Sequence, residues 1–251
     1  MDDTENAVVG IAERWSHDQP EGPAGDAVHP KDKARWSVLP GAAQRVDVDD
    51  ASQAPWNGIA LINMFRAGNR VLVGTGFLCA SDVLLTARHN LTSTDYDSAG
   101  VWLGYDASSN PKVSTQVIRA YATHRDLDLA VLILDAPHPG VFTLRDAAAE
   151  QDQVSVAGYG LPYGDGRPRL SQASGALGKI EATTVRYQVS TREGDSGGPV
   201  FVVDRHVATA MAVHSAAPLG GLAGNVGVRL SATTIRDINI LIAHARTRIG
   251  A

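Results

Sequence analysis

Between Trp56 and Leu230 the chain is cut into about a dozen short apolar or β-branched runs, each closed by glycine, asparagine or another turn residue. The runs are Gly58–Phe65, Val71–Ala80, Asp82–Thr86, Gly100–Leu103, Val113–Thr123 and Leu129–Leu134. Six more follow: Val154–Gly158, Ser174–Ile180, Thr183–Ser190, Pro199–Val203, Val207–Val213 and Gly227–Leu230. Short strands with turn signals roughly every 8–12 residues indicate an antiparallel sandwich or barrel. No helical period alternates with them, which argues against a doubly wound sheet. Only the end reads as helix, where Ile235, Ile238, Leu241, Ile242 and Ala245 fall on one face. Thr234 and Asp237 resemble a capping box there, with Asp for the usual Glu or Gln.

The charge divides the chain. Residues 1–50 hold eleven of the 27 acidic residues but five of the 22 basic ones, together with Pro20, Pro23, Pro30 and Pro40 and no sustained period. They are expected to form an extended or poorly ordered acidic leader or pro-segment. The rest is nearly neutral and is expected to divide into residues 51–140 and 141–251. An acidic balance argues against a nucleic-acid partner. No apolar run approaches the roughly 20 residues of a membrane span. The start, Met1-Asp2-Asp3-Thr4-Glu5, has no apolar segment of a secretory signal. A single cysteine, Cys79, excludes an internal disulfide and reads as a buried apolar filler. No histidine spacing suits a metal, so neither metal nor cofactor is expected.

Gly194-Asp195-Ser196-Gly197-Gly198-Pro199 is the sharpest local signal. A serine hydroxyl is a poor nucleophile and needs a base to deprotonate it and donors to hold the oxyanion. Flanking glycines let the backbone turn tightly enough to aim amide N–H groups at the place the hydroxyl reaches. The other two parts lie upstream. His89 follows the run Leu84-Leu85-Thr86, and Asp126-Leu127-Asp128 opens the run that begins at Leu129. Base, orienting acid and nucleophile then come in the order His, Asp, Ser. The nucleophile elbow of an α/β-hydrolase needs a different order and a helix after the serine, where a strand is expected here.

These motifs resemble the trypsin-like, chymotrypsin-fold serine peptidases, and within them the bacterial glutamyl endopeptidases. The narrower likeness rests on Val83 to Asn90, Asp128-Leu129-Ala130-Val131, Ala157-Gly158-Tyr159, Ser190-Thr191, Val213-His214-Ser215 and Gly227-Val228-Arg229-Leu230, with a helix following. The resemblance implies an all-β fold of two packed antiparallel β-barrels and a C-terminal helix. The first barrel would carry His89 and Asp128, the second Ser196. It implies a Ser196–His89–Asp128 triad, with Asp126 as a rival for the third place, and an oxyanion hole from the N–H groups of Gly194 and Ser196. Trypsin-like specificity places an acid where this chain has Ser190, so a preference for Lys or Arg is not expected. Ser190, Thr191 and His214 would instead receive a Glu or Asp side chain, and Ser215, Ala216 and Ala217 would pair with the substrate backbone.

The partner implied is a protein or peptide substrate, with no nucleic acid and no membrane. Two alternatives stay open: a catalytically silent peptide-binding relative, and a cytoplasmic processing protease of other specificity. The resemblance implies secretion, which the acidic start does not support. Oligomeric state is not legible. Asp195 departs from the subgroup, which typically has Asn there. In trypsin relatives this acid pairs with an α-amino group freed by cleavage. Trp36–Pro40 and Gln44–Asp47 are therefore candidate processing points, with Arg192 or another cation as a rival partner for Asp195.

Overall fold

The computed structural model describes residues 7–11, 36–37, 44–92, 96–105, 114–147, 153–161, 167–216 and 224–250. Three short strands come from the acidic first segment: β1 (Ala7–Ile11), β2 (Trp36–Ser37) and β3 (Val46–Asp47). The first sheet is then built from β4 (Ile59–Arg66), β5 (Asn69–Ala80) and β6 (Val83–Thr86). After the short helix α1 (His89–Thr92) come β7 (Ser98–Leu103), β8 (Ser114–Gln116), β9 (Ile118–His124) and β10 (Ala130–Leu134). The spatial order is β1-β9-β10-β6-β5-β4-β7-β8, a half-barrel.

The second sheet uses β11 (Thr143–Leu144), β12 (Gln153–Gly158), β13 (Ser171–Ile180) and β14 (Thr184–Tyr187). Then follow β15 (Thr191–Arg192), β16 (Pro199–Asp204), β17 (Val207–Ala216) and β18 (Asn225–Arg229). Strands β17-β16-β12-β13-β14-β18 close on themselves through the β17–β18 pairing, giving a six-stranded barrel without free edges along that circuit. Helix α2 (Ala232–Ile249) ends the fold. Its cap is Ser231, whose hydroxyl accepts from the Thr234 N–H at 3.1 Å. The expected cap at Thr234 is thus one turn late: Thr234 is inside the helix and buried.

Alternation on the strands explains why both faces are apolar. On β4, Ala60, Ile62 and Met64 fill the first barrel with Leu84, Val101 and Leu132. Ile59, Leu61 and Phe65 point the other way, into a layer shared with Phe77, Phe142, Phe201, Val213 and the α2 residues Ile238, Leu241 and Ala245. The second barrel has its own interior of Val154, Val156, Leu177, Val185 and Tyr187. The two barrels therefore pack through a common apolar layer. Cys79 lies against that layer as a free thiol, and burial pushes it up to about 12. Among the described residues no helix is long and apolar enough to cross a membrane.

The first segment touches both barrels. β1 adds to the edge of β9, with Ala7 opposite His124 and Ile11 opposite Ala120. β2 pairs with β15, and β3 with β13. The expectation of an extended acidic leader up to residue 50 meets a finding it did not include, since Val46 and Asp47 belong to the second barrel's sheet.

Candidate active site

Antiparallel register brings His89 and Asp128 together. Ala130 on β10 stands opposite Thr86 on β6. The residues just before Ala130 therefore lie beside those just after Thr86. Asp128 uses both oxygens: Oδ2 is 2.8 Å from His89 Nδ1, and Oδ1 accepts the His89 backbone N–H at 3.0 Å. The Ser215 hydroxyl also donates to Asp128 Oδ2. Burial alone would raise this carboxyl, but the bonds from His89 and Ser215 outweigh it and hold it at about 2. Asp126 gives only its backbone N–H, to His124 Nδ1 at 3.1 Å. Of the two acids, Asp128 is the one that meets His89.

Ser196 sits on the tight turn between β15 and β16. Gly194 and Gly197 have φ of +96° and +89°, a region that side chains rarely adopt. A Cβ on Gly197 would also lie 2.1 Å from the Thr75 carbonyl oxygen, so the turn presses against the first barrel. That contact is reinforced at Ser196 itself. Its carbonyl oxygen accepts the Thr75 N–H at 2.9 Å and Asn90 Nδ2 at 2.8 Å. Ser196 Oγ donates to the Ser215 carbonyl at 3.3 Å. Ser215 thus touches Asp128 with its side chain and Ser196 with its backbone, which draws all three sequence-predicted residues into one cleft between the sheets. Among the described residues, the N–H groups of Gly194 and Ser196 donate to no carbonyl.

Beside this cleft lie Ser190, Thr191 and His214, each nearly buried. Burial drives the His214 imidazole down to about 3, so it is neutral near pH 7. Its Nδ1 is 2.5 Å from the Tyr187 hydroxyl, whose other contact, the Val226 carbonyl, is at 3.3 Å. With the Tyr187 hydroxyl donating to Nδ1, the neutral ring carries its own proton on Nε2. Ser215 and Ala216 end β17, half-buried, while Ala217 lies outside the described residues. No cluster of His, Cys, Asp or Glu among the described residues is arranged to hold a metal.

A family model for the trypsin-like peptidase domain matches residues 74–208, more than half of the chain. The chain belongs to the trypsin-like peptidase family. Among solved structures it is similar to a Glu endopeptidase in complex with MPD, at 22% identity and a TM-score of 0.63, over 81% of this chain and 98% of that one. It is also similar to GrC, granzyme C, at 20% identity and a TM-score of 0.64, over 80% of this chain and 99% of the other. Both likenesses carry the chymotrypsin fold, and this peptidase shares it: a closed barrel, a half-barrel and a C-terminal helix.

Sequence reasoning missed four residues of the site. Thr75 and Asn90 grip the Ser196 carbonyl, Tyr187 hydrogen-bonds His214 Nδ1, and Arg45 pairs with Asp195. The only signal for Arg45 was indirect: a buried Asp195 requires a cation. Arg45 lies within the Gln44–Asp47 candidate processing point, 150 residues from Asp195.

Proposed function

We propose that the chain is a serine endopeptidase that cleaves after Glu, or Asp, through a Ser196–His89–Asp128 triad and an acyl-enzyme. The observation that carries this is the doubly bonded His89–Asp128 pair joined to Ser196 through Ser215. Asp128 fixes the Nδ1–H tautomer of His89, which leaves Nε2 as the base. The 3.3 Å bond from Ser196 Oγ to Ser215 is weak, and rotation of the serine side chain when substrate enters turns Oγ toward His89. Oγ then attacks the carbonyl, His89 takes its proton and returns it to the leaving amine, and water repeats the sequence on the ester. The unengaged N–H groups of Gly194 and Ser196 hold the oxyanion at each addition.

The neutral His214 supports an acidic preference by donation. Its Nε2–H, with the hydroxyls of Ser190 and Thr191, offers hydrogen bonds to a carboxylate without a buried positive charge. The strand end at Ser215–Ala216 supplies the backbone edge for the residues before the scissile bond.

The test is digestion of a peptide library by the wild type and S196A, read by mass spectrometry. The expected result is cleavage after Glu, abolished by S196A. H214A and Y187F should both lower kcat/KM for Glu peptides by at least about tenfold while leaving labelling by a fluorophosphonate within a few-fold. Preferred cleavage after Arg or Leu would sink the specificity, and absence of labelling would favour a silent peptide-binding relative.

A further inference from the structure

Asp195 is a charged group to which the peptide chemistry assigns no step. Its carboxylate is fully buried, and burial pushes it up while Arg45 opposes that shift. The pairing is two-pronged: Arg45 Nη1 lies 2.8 Å from Oδ2, and Nη2 lies 3.0 Å from Oδ1. The Arg192 backbone N–H donates to Oδ2 at 2.6 Å. The Arg45 side chain is only 3% exposed, so this is an ion pair sealed from water. Space around it is tight, since a Cβ on Gly158 would lie 2.7 Å from Asp195 Oδ1.

We infer that Arg45 is a positioning residue for the site: through Asp195 it locks the 192–198 turn in the form that aims the Gly194 and Ser196 N–H groups at the substrate carbonyl. The intact chain is then competent without an α-amino group released by cleavage. This rests on the reading of Ser196 as the nucleophile. Two contacts show how the lock works. The Asp195 N–H donates to the Arg192 carbonyl at 3.1 Å, and the Asp195 carbonyl accepts the Gly198 N–H at 2.9 Å, so the acid is the centre of the turn. Removing its cation leaves a buried charge that must neutralise or swing outward, and either change moves Gly194 and Ser196 on both sides of it.

The same guanidinium reaches further. Nη1 donates to the Ser190 carbonyl at 3.1 Å, and Nη2 donates to the Ser171 carbonyl at 2.7 Å. Nε donates to Ser171 Oγ at 3.0 Å. One side chain therefore ties the specificity wall to the oxyanion turn, a job that needs the five donors of a planar fork. Charge type separates this from an α-amino lock. An α-ammonium loses its proton around pH 8, whereas a guanidinium keeps it well past that, even though burial lowers Arg45 from its ordinary value.

The experiment uses the full chain with R45A, R45K and the double variant R45M/D195N. Wild-type fluorophosphonate labelling should stay level from about pH 8 to about pH 10, past the titration of an α-amine. R45A should label at least about 100-fold more slowly, with the loss in kcat and not KM, and millimolar guanidinium should restore part of the rate. R45K should recover part of it but gain an alkaline limb that the wild type lacks. Hydrogen exchange reads the same lock without catalysis: amides 192–198 should exchange faster in R45A while β4 to β6 are unchanged. The double variant removes the stranded charge, so it should fold, and it should still show the loosened turn. Labelling and 192–198 exchange within about twofold of wild type in R45A or in the double variant would overturn the inference. A wild type that neither labels nor cleaves overturns the peptidase reading instead, and the exchange measurement then still decides whether Arg45 holds the turn.

Discussion

At the scale of single residues, the site is organised by carboxylates whose environments differ. Asp195 is sealed with a permanent cation, whereas Asp128 keeps contact with solvent and is held ionised by hydrogen bonds from His89 and Ser215. The distinction has a measurable consequence. Asp128 falls from an ordinary value of 3.8 to about 2 on folding. A depressed carboxyl stabilises the fold above its unfolded pKa, and that contribution is lost as pH falls through the folded value. D128N should therefore be less stable than wild type in urea at pH 6, and the two midpoints should converge between about pH 4 and about pH 2. A gap independent of pH would show that the charge on Asp128 contributes nothing. In the same variant kcat should fall by about 10⁴-fold, because an amide no longer selects the Nδ1–H tautomer of His89.

At the scale of elements, most strands were legible because alternation and punctuation are local. The run expected over Val113–Thr123 shows where local reading stops. It is broken at Val117, whose N–H donates to Asp135 Oδ1 at 2.7 Å and whose carbonyl accepts the Asp135 N–H. The chain turns a corner there, so β8 pairs with β7 while β9 pairs with β10. Nothing near Val117 announces a partner that comes 18 residues later. Likewise β17 runs to Ala216, beyond the expected end at Val213, because β18 extends beside it. The two-residue strands β2, β3, β11 and β15 have no pattern of their own and exist only through their partners. His89, Asp128 and Ser196 were legible as motifs, but Arg45 and Tyr187 were not, since the burial that sets them against Asp195 and His214 is a tertiary property.

One turn between elements carries a prediction. His124 is buried at the end of β9, and its Nδ1 accepts the N–H groups of Asp126 and Leu127, both at 3.1 Å. Its Nε2 faces Asp237 on α2 at 3.5 Å. The ring therefore shapes the loop that delivers Asp128 and leans on the terminal helix. H124A should lose about 1–2 kcal/mol in urea unfolding, since two part-buried N–H groups lose their acceptor. H124N, whose amide oxygen can accept in the same place, should recover part of it and of kcat. Equal loss in the two variants would mean that the ring's volume, not its acceptor, holds the turn.

For the whole molecule, the decisive fact is that the cleft is assembled from both sheets, so its precision depends on the layer between them. That layer contains a chain of edge-on aromatic contacts. Phe142 meets Phe77 of β5 at 5.4 Å and Phe201 of β16 at 5.5 Å between ring centroids, and Trp56 meets Phe201 at 6.0 Å. Phe142 lies on the segment joining the barrels, so the linker itself is part of the shared core. Neither sheet can lose this layer without exposing its outer apolar face, because Leu61 and Val131 on one side and Phe201 and Val213 on the other belong to one cluster. Unfolding should then be a single cooperative transition even though there are two barrels. F201A should cost about 3–5 kcal/mol, as expected for emptying a fully buried aromatic site. The discriminating measurement is hydrogen exchange. If the layer couples the sheets, F201A lowers protection in β4 to β6 as much as in β12 and β16, although Phe201 lies in the second barrel. Loss confined to β12 and β16, or two resolved transitions in urea, would mean that each barrel stands alone, and that the cleft is held by the Ser196 contacts with Thr75 and Asn90 instead.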